Sequence, residues 1–405
     1  MLKGALAWPF VRLYMLTLLY FSANSMLNVI IPLKGDSLGA SNTAIGIIMG
    51  AYLFTSMLLR PWAGLLIQRY GALKVLRTIL VINGSALLLY SFTGLEGYFF
   101  ARVMQGVCTA CFSMALQLGI IDALPEEDRS QGISLYSLCA FMPGILGPLL
   151  ALGMWQSGDM QTFTYVMLAI AIMTGVVGYS ARVDSHSAEA AVGVEAAKPA
   201  GGTSMQGAII LKSYREMVRN PHLFKCSVLM LTASLVFGAV TAFIPLYAMQ
   251  IQGGNAGIYL MLQAATVVAA RFLLRKRIPS DGKWHTGYII MIVLTIAAAA
   301  QAVSVSIWGG VGFLYIGAIM MGAAQALLYP TLTTYLTFVL PKDNRNVLLG
   351  LFIATADLGS SLGGVIMGPI ADMSSYSVMY MICAIVAVSM TVFAIQGRQR
   401  TAEAG

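Results

Sequence analysis

The chain has 405 residues, of which 58% are hydrophobic and only 10% charged, and its mean hydropathy is +0.80. Soluble domains carry about 25% charged residues, so this composition excludes a soluble enzyme, a disordered chain and a nucleic-acid-binding domain. The formal net charge of +8 has to be judged by where the basic residues fall.

A membrane-crossing helix needs about 20 mostly apolar residues. In chain order, uncharged stretches run over 13–33, 37–59, 78–95, 130–158, 160–181, 226–270, 284–341 and 373–397. The first ends in Pro32 without a small-residue cleavage site, so it reads as a span and not as a signal peptide. The stretch 226–270 is too long for one crossing and breaks at Gln250-Ile251-Gln252-Gly253-Gly254-Asn255; 284–341 breaks near Ser306-Ile307-Trp308-Gly309-Gly310. Two further spans each hold one interior charge, about 97–121 with Arg102 and about 346–371 with Asp357. The sum is twelve helices, an all-α membrane protein.

With the N-terminus inside, the inner loops and helix ends collect Arg60, Arg69, Lys74, Arg77, Arg129, the basic residues of 198–225 and 271–283, Lys342 and Arg345. The outer loops hold Lys34 and little else that is basic. By the positive-inside rule both termini are cytoplasmic. The basic balance therefore reports topology, and no nucleic-acid partner is expected.

Residues 182–222 break the apolar pattern and read as a flexible tether. Within it, roughly 205–219 forms a candidate interfacial amphipathic helix with Lys212, Arg215 and Arg219. The expected organisation is a six-helix bundle over 1–181, the tether over 182–222 and a second six-helix bundle over 223–405. The halves repeat. Leu124-Pro125 with Arg129 follows the fourth helix as Leu340-Pro341 with Arg345 follows the tenth, and Gly106 and Gly322 stand at the same offset before them. Arg60 precedes Gly71 by the distance that separates Arg271 from Gly282. Paired halves of this kind describe a transporter whose site lies near mid-membrane.

Several polar residues interrupt the spans. Arg102, Gln105, Thr109, Ser113 and Gln117 recur at three- and four-residue steps and so share one face of the fourth helix. An intramembrane arginine is costly and marks a functional site by default; a hydrogen-bonding hub that ties neighbouring helices is the structural alternative. The first helix carries Tyr20, Asn24 and Asn28, either lining a cavity or packing through buried amides. Asp357 is the one carboxylate well inside a span, and it is the candidate proton-coupling group, unless a structural partner such as Arg271 or Arg102 holds it ionised. The five cysteines lie in apolar stretches, and Cys108 and Cys111 read as packed hydrophobes although they spell CxxC. His186, His222 and His285 lie apart from other ligand types, so no metal site and no cofactor are expected, and no phosphate-binding loop occurs.

Gly64, Arg69 and Gly71 in the link between the second and third helices resemble the Gly-x-x-x-Asp-Arg-x-Gly signature of the major facilitator superfamily, with Gln68 in place of its Asp. Arg102-Val-Met-Gln105-Gly106 resembles the Arg-x-x-Gln-Gly motif of that superfamily's fourth helix, and Asn28 to Pro32 the end of its first-helix motif. Gly147-Pro148 matches part of its antiporter motif. The resemblance implies the superfamily fold and a gating loop of Gly64, Arg69 and Gly71 that pairs with Asp122.

Over nearly all helices the chain resembles the opine-metallophore exporter branch of this superfamily, for instance in Trp8-Pro9-Phe10, Gly94-Leu95-Glu96-Gly97-Tyr98, Ala269-Ala270-Arg271-Phe272 and Tyr329-Pro330-Thr331. That likeness implies a monomeric, multi-pass protein of the bacterial cell (plasma or inner) membrane that exports a small amino-acid-derived metallophore by alternating access in exchange for protons. Arg102 and Arg271 would then meet carboxylates, Asp357 an amine, and Tyr20, Tyr52 or Tyr136 a heteroaromatic ring. The competing readings are a multidrug efflux antiporter, which would call for more cavity acids, and a non-transporting membrane sensor.

Overall fold

The computed structural model describes residues 7–180, 219–274, 277–279, 281–341 and 345–395. The tether and its amphipathic segment fall almost wholly outside these residues. The chain is helical: α1 Trp8–Ser37, α2 Asn42–Tyr70, α3 Ala72–Phe92, α4 Leu95–Ala123, α5 Glu126–Phe141, α6 Pro143–Gln156, α7 Met160–Ser180, α8 Pro221–Tyr247, α9 Ala256–Leu273, α10 Thr286–Gly309, α11 Val311–Val339, α12 Arg345–Met373 and α13 Tyr376–Ile395. Among the described residues there are twelve segments long and apolar enough to cross a membrane, with α5 and α6 sharing one. Pro143, which cannot donate to the ladder, starts α6 directly after the break at Met142.

The helix ends follow local chemistry. Asn220 caps α8 by accepting from His222 N at 3.0 Å and Leu223 N at 3.1 Å, with Pro221 in the first turn. Asn255 accepts from Ile258 N at 2.9 Å and caps α9. Asp159 does the same for α7 through Thr162 N at 2.8 Å. Gly71 (φ +84°) alone separates α2 from α3, and Gly310 (φ +88°) separates α10 from α11; an L side chain is strained at either place.

The chain divides into two compact units. The first comprises Met1–Leu38 and Ile47–Lys198, the second Gly39–Gly46 and Pro199–Gly405. In the first unit α3 packs along α4 and α7, and α1 along α5, α6 and α7. Its core joins Leu13, Leu16 and Tyr20 to Phe112, Leu116 and Ile120, and Cys108 and Cys111 are packed within it. Gly106 brings α4 onto α2, since a Cβ there would stand 2.4 Å from Tyr52 O. Gly147 on α6 faces Ser25 on α1, where a Cβ would overlap the serine side chain.

In the second unit α12 packs along α8, α10 along α13 and α11, and α9 along α11. Gly322 repeats the role of Gly106, because a Cβ there would stand 2.4 Å from Gln263 O on α9. The first turn of α2 belongs to this unit. Asp372 caps it, accepting from Asn42 N at 2.8 Å, Thr43 N at 2.9 Å and Thr43 Oγ1 at 2.6 Å. Gly46 and Gly364 then meet backbone to backbone.

The structure corrects one expectation. Gly64 and Arg69 do not lie in a loop, since α2 continues through both to Tyr70, while Asp122 stands at the end of the fourth helix, as expected. The run after Arg60 is apolar and favours helix, so the helix outlasts the span, which ends at Arg60. A charge marks where lipid stops, not where hydrogen bonding stops.

Candidate functional site

The first unit gathers five of the sequence-predicted residues around the buried guanidinium of a sixth. Arg102 on α4 is fully buried. Its Nη1 donates to Asn24 Oδ1 at 2.6 Å and its Nη2 to Asn28 Oδ1 at 2.8 Å. Asn24 and Asn28 reach it together because they are one turn apart on α1. Nη2 also lies 3.5 Å from Met49 Sδ, and the guanidinium carbon sits 5.3 Å from the centre of the Tyr52 ring. The Tyr52 hydroxyl bonds Thr109 Oγ1 at 3.0 Å, and the Tyr20 hydroxyl meets the same oxygen at 2.8 Å. Tyr20 stacks on Phe112 with ring centroids 3.8 Å apart. One chain of polar contacts thus runs Asn24 and Asn28, Arg102, Tyr52, Thr109, Tyr20.

Every one of these partners of Arg102 is neutral. Two charge-assisted bonds contribute about 3–6 kcal/mol together, and the ring about 2. Removing a guanidinium from water costs several kcal/mol. The sides nearly cancel, so the arrangement gains little stability from its charge. Arg102 Nε is buried without a hydrogen-bond partner among the described residues. A guanidinium has five N–H donors, and an arriving carboxylate or other anion could use those left over.

The other predicted residues are arranged differently. Gln105 is buried, and its amide oxygen accepts from the Tyr90 hydroxyl at 2.7 Å, so it ties α4 to α3. Ser113 donates to Thr109 O on its own helix at 2.7 Å. Gln117 is exposed, so the polar stripe leaves the packed interior along α4. Tyr136 is buried in the same core cluster as Tyr20. Gly147 and Pro148 are buried in α6, against α1. Arg69 is exposed and its guanidinium carbon lies 5.4 Å from the Tyr70 ring centre. The side chains of Gln68 and Asp122 lie outside the described residues, and the expected Arg69–Asp122 contact with them.

Arg271 on α9 and Asp357 on α12 belong to the second unit. Both are half-buried, and Asp357 Oδ2 is out of reach of solvent. Tyr329 stacks on Phe352 with centroids 6.1 Å apart. Two residues missed in the sequence are Gln263 and Gln325, which bond at 3.2 Å between α9 and α11. The signal was available, since Gln263 precedes Arg271 by the distance that separates Tyr52 from Arg60, and Gln325 follows Gly322 as Thr109 follows Gly106. The repeat thus places a polar pair at the same helix crossing in each unit. It does not repeat the charge, for Ala318 stands before Gly322 where Arg102 stands before Gly106.

The sequence model of the Major Facilitator Superfamily matches residues 13–311 and 285–404. The chain is 51% identical over 387 residues to the Staphylopine export protein of Staphylococcus aureus (strain Mu50 / ATCC 700699), covering 96% of this chain and 95% of that one. It is 26% identical over 151 residues to the Probable multidrug resistance protein EmrY of Escherichia coli (strain K12), covering 37% of this chain and 30% of that one. In fold it is similar to the D-xylose-proton symporter, with a TM-score of 0.73, 14% identity and 96% of each chain covered. It is likewise similar to the human organic anion transporter MFSD10 (TETRAN), with a TM-score of 0.69, 14% identity, and 95% of this chain and 98% of that one covered. The relatives are transporters and not enzymes, and with twelve apolar spans and a matching family model along most of its length the chain belongs to the major facilitator superfamily.

Proposed function

We propose that the protein exports a small, opine-type metallophore, staphylopine-like and derived from amino acids, out of a bacterial cell by alternating access in exchange for protons. The observation that carries this reading is the buried Arg102, held by Asn24 and Asn28, with only neutral partners among the described residues and with donors to spare. A carboxylate-rich cargo completes such a site, whereas a lipophilic cation is repelled by it. The 51% identity to the Staphylopine export protein supports the same cargo class. In this reading Arg102 takes a cargo carboxylate, Tyr20 and Tyr52 offer ring faces, Arg271 contributes a second cationic contact, and Asp357 carries the exchanged proton. The protein works as a monomer in the cell membrane with both termini in the cytoplasm, in line with the basic residues on that side of the sequence.

The test is uptake of candidate metallophores into inverted vesicles under an imposed pH gradient. Accumulation driven by the gradient supports the proposal; uptake of drugs with no uptake of metallophores rejects it in favour of multidrug efflux. That second reading draws on the local similarity to EmrY, which covers about a third of the chain.

A further inference from the structure

A second cationic site lies in the first unit, where the start of α1, the start of α3 and the end of α7 meet. Trp8, Pro9, Arg12, Arg77, Tyr179 and Ser180 line a cleft of about 670 Å³. Among the described residues the lining holds two guanidiniums and no carboxylate. Each lies beside an aromatic ring, Arg12 at 5.5 Å from the centre of Trp8 and Arg77 at 4.8 Å from the centre of Tyr179. Arg12 Nη1 reaches Ser180 O at 3.3 Å and Arg77 Nη2 reaches Tyr179 O at 3.4 Å. These long contacts satisfy the last carbonyls of α7, as basic residues at a helix C-terminus commonly do. They use one nitrogen of each arginine, and Arg77 Nε is buried with no hydrogen-bond partner among the described residues.

The surroundings say what kind of anion fits. Trp8 and Tyr179, each 62% exposed, stand at the ends of apolar spans, the level at which such rings mark the membrane–water interface. An exposed apolar track leads from the cleft into the membrane. Val176 and Ile172 follow Tyr179 back along one face of α7, and Val81 lies one turn beyond Arg77 on α3; they are 65%, 56% and 64% exposed. The cleft thus opens beside lipid-facing side chains, along which the acyl chains of a lipid held there would lie.

We propose that Trp8, Arg12, Arg77 and Tyr179 bind the phosphate headgroup of an anionic diacyl phospholipid, in the leaflet on the side of the chain's N-terminus. The site is separate from the cargo site and does not depend on the cargo. The full chain is reconstituted with brominated phosphatidylglycerol or brominated phosphatidylcholine in a phosphatidylethanolamine background. The difference in tryptophan quenching between the native chain and Trp8→Phe isolates the Trp8 signal. The expected result is a preference for phosphatidylglycerol of about fivefold in apparent affinity for each arginine engaged, abolished in the Arg12→Gln/Arg77→Gln pair and retained in part by the lysine pair. Equal quenching by both lipids, or a preference that survives the glutamine pair, overturns the proposal. Loss of the preference in millimolar inorganic phosphate overturns the lipid assignment in favour of a soluble phosphate. If the paired variant fails to accumulate, the native lipid comparison and Arg77→Gln alone decide by the same criteria.

Discussion

Replacing Arg102 with lysine keeps the charge and removes the fork. The native guanidinium spends one N–H on each of Asn24, Asn28 and Met49 Sδ, which leaves two of its five donors for cargo. An ammonium has three donors, so after serving both asparagines it has one left, and a bidentate grip on a carboxylate becomes a single bond. Losing one charge-assisted hydrogen bond costs about 1.5–3 kcal/mol, roughly 10- to 150-fold in affinity at 1.4 kcal/mol per decade. The assay compares the concentration dependence of uptake into inverted vesicles for a metallophore and for the same molecule with its carboxylates esterified. Arg102→Lys should weaken the free acid by that factor and leave the ester almost unchanged. Equal losses for both cargoes, or no loss for either, would refute the assignment of Arg102 to a cargo carboxylate.

Four further outcomes are expected. Arg102→Ala should abolish transport with normal amounts of protein in the membrane; loss of the protein itself would make Arg102 a tie between helices. Asp357→Asn should remove the dependence of flux on the pH gradient, and flux that stays coupled would move the proton site elsewhere. Gly106→Ala places a Cβ 2.4 Å from Tyr52 O, where ordinary contact begins at 3.4 Å, so forcing α4 from α2 should cost about 1–3 kcal/mol in thermal unfolding, while Gly153→Ala, with nothing within 4 Å, should cost nothing. Asp372→Ala strips three donors at the start of α2 of their acceptor and should lower stability by about 0.5–2 kcal/mol, the usual range for a lost cap; an unchanged melting temperature would show that water replaces the carboxylate.

The spans were legible because lipid imposes a length and a composition that few other environments require. The break at Gln250–Asn255 coincides with the end of α8, a short 3-10 turn over Ala248–Gln250 and the Asn255 cap. Asn24, Asn28 and Arg102 were each visible as polar residues in an apolar background, and their spacing gave the shared faces. Their direct bonding was not visible, since it depends on how α1 and α4 pack. Gln105 shows the limit of periodicity: it shares the face of Arg102 but is taken up by Tyr90, a residue that nothing in the spacing singles out. The cap on α2 was illegible for the same reason, because Asp372 is more than 300 positions away in the chain.

The repeat supplies a comparison that no mutagenesis has to make. At corresponding points of two duplicated helix pairs, one copy seals around a methyl group at Ala318, fully buried, and the other encloses a cation. The crossing closes in both, with a glycine against a carbonyl each time. Assembly of the second unit therefore proceeds without a positive group there, and the twin halves differ at the very point where the proposed cargo contact lies.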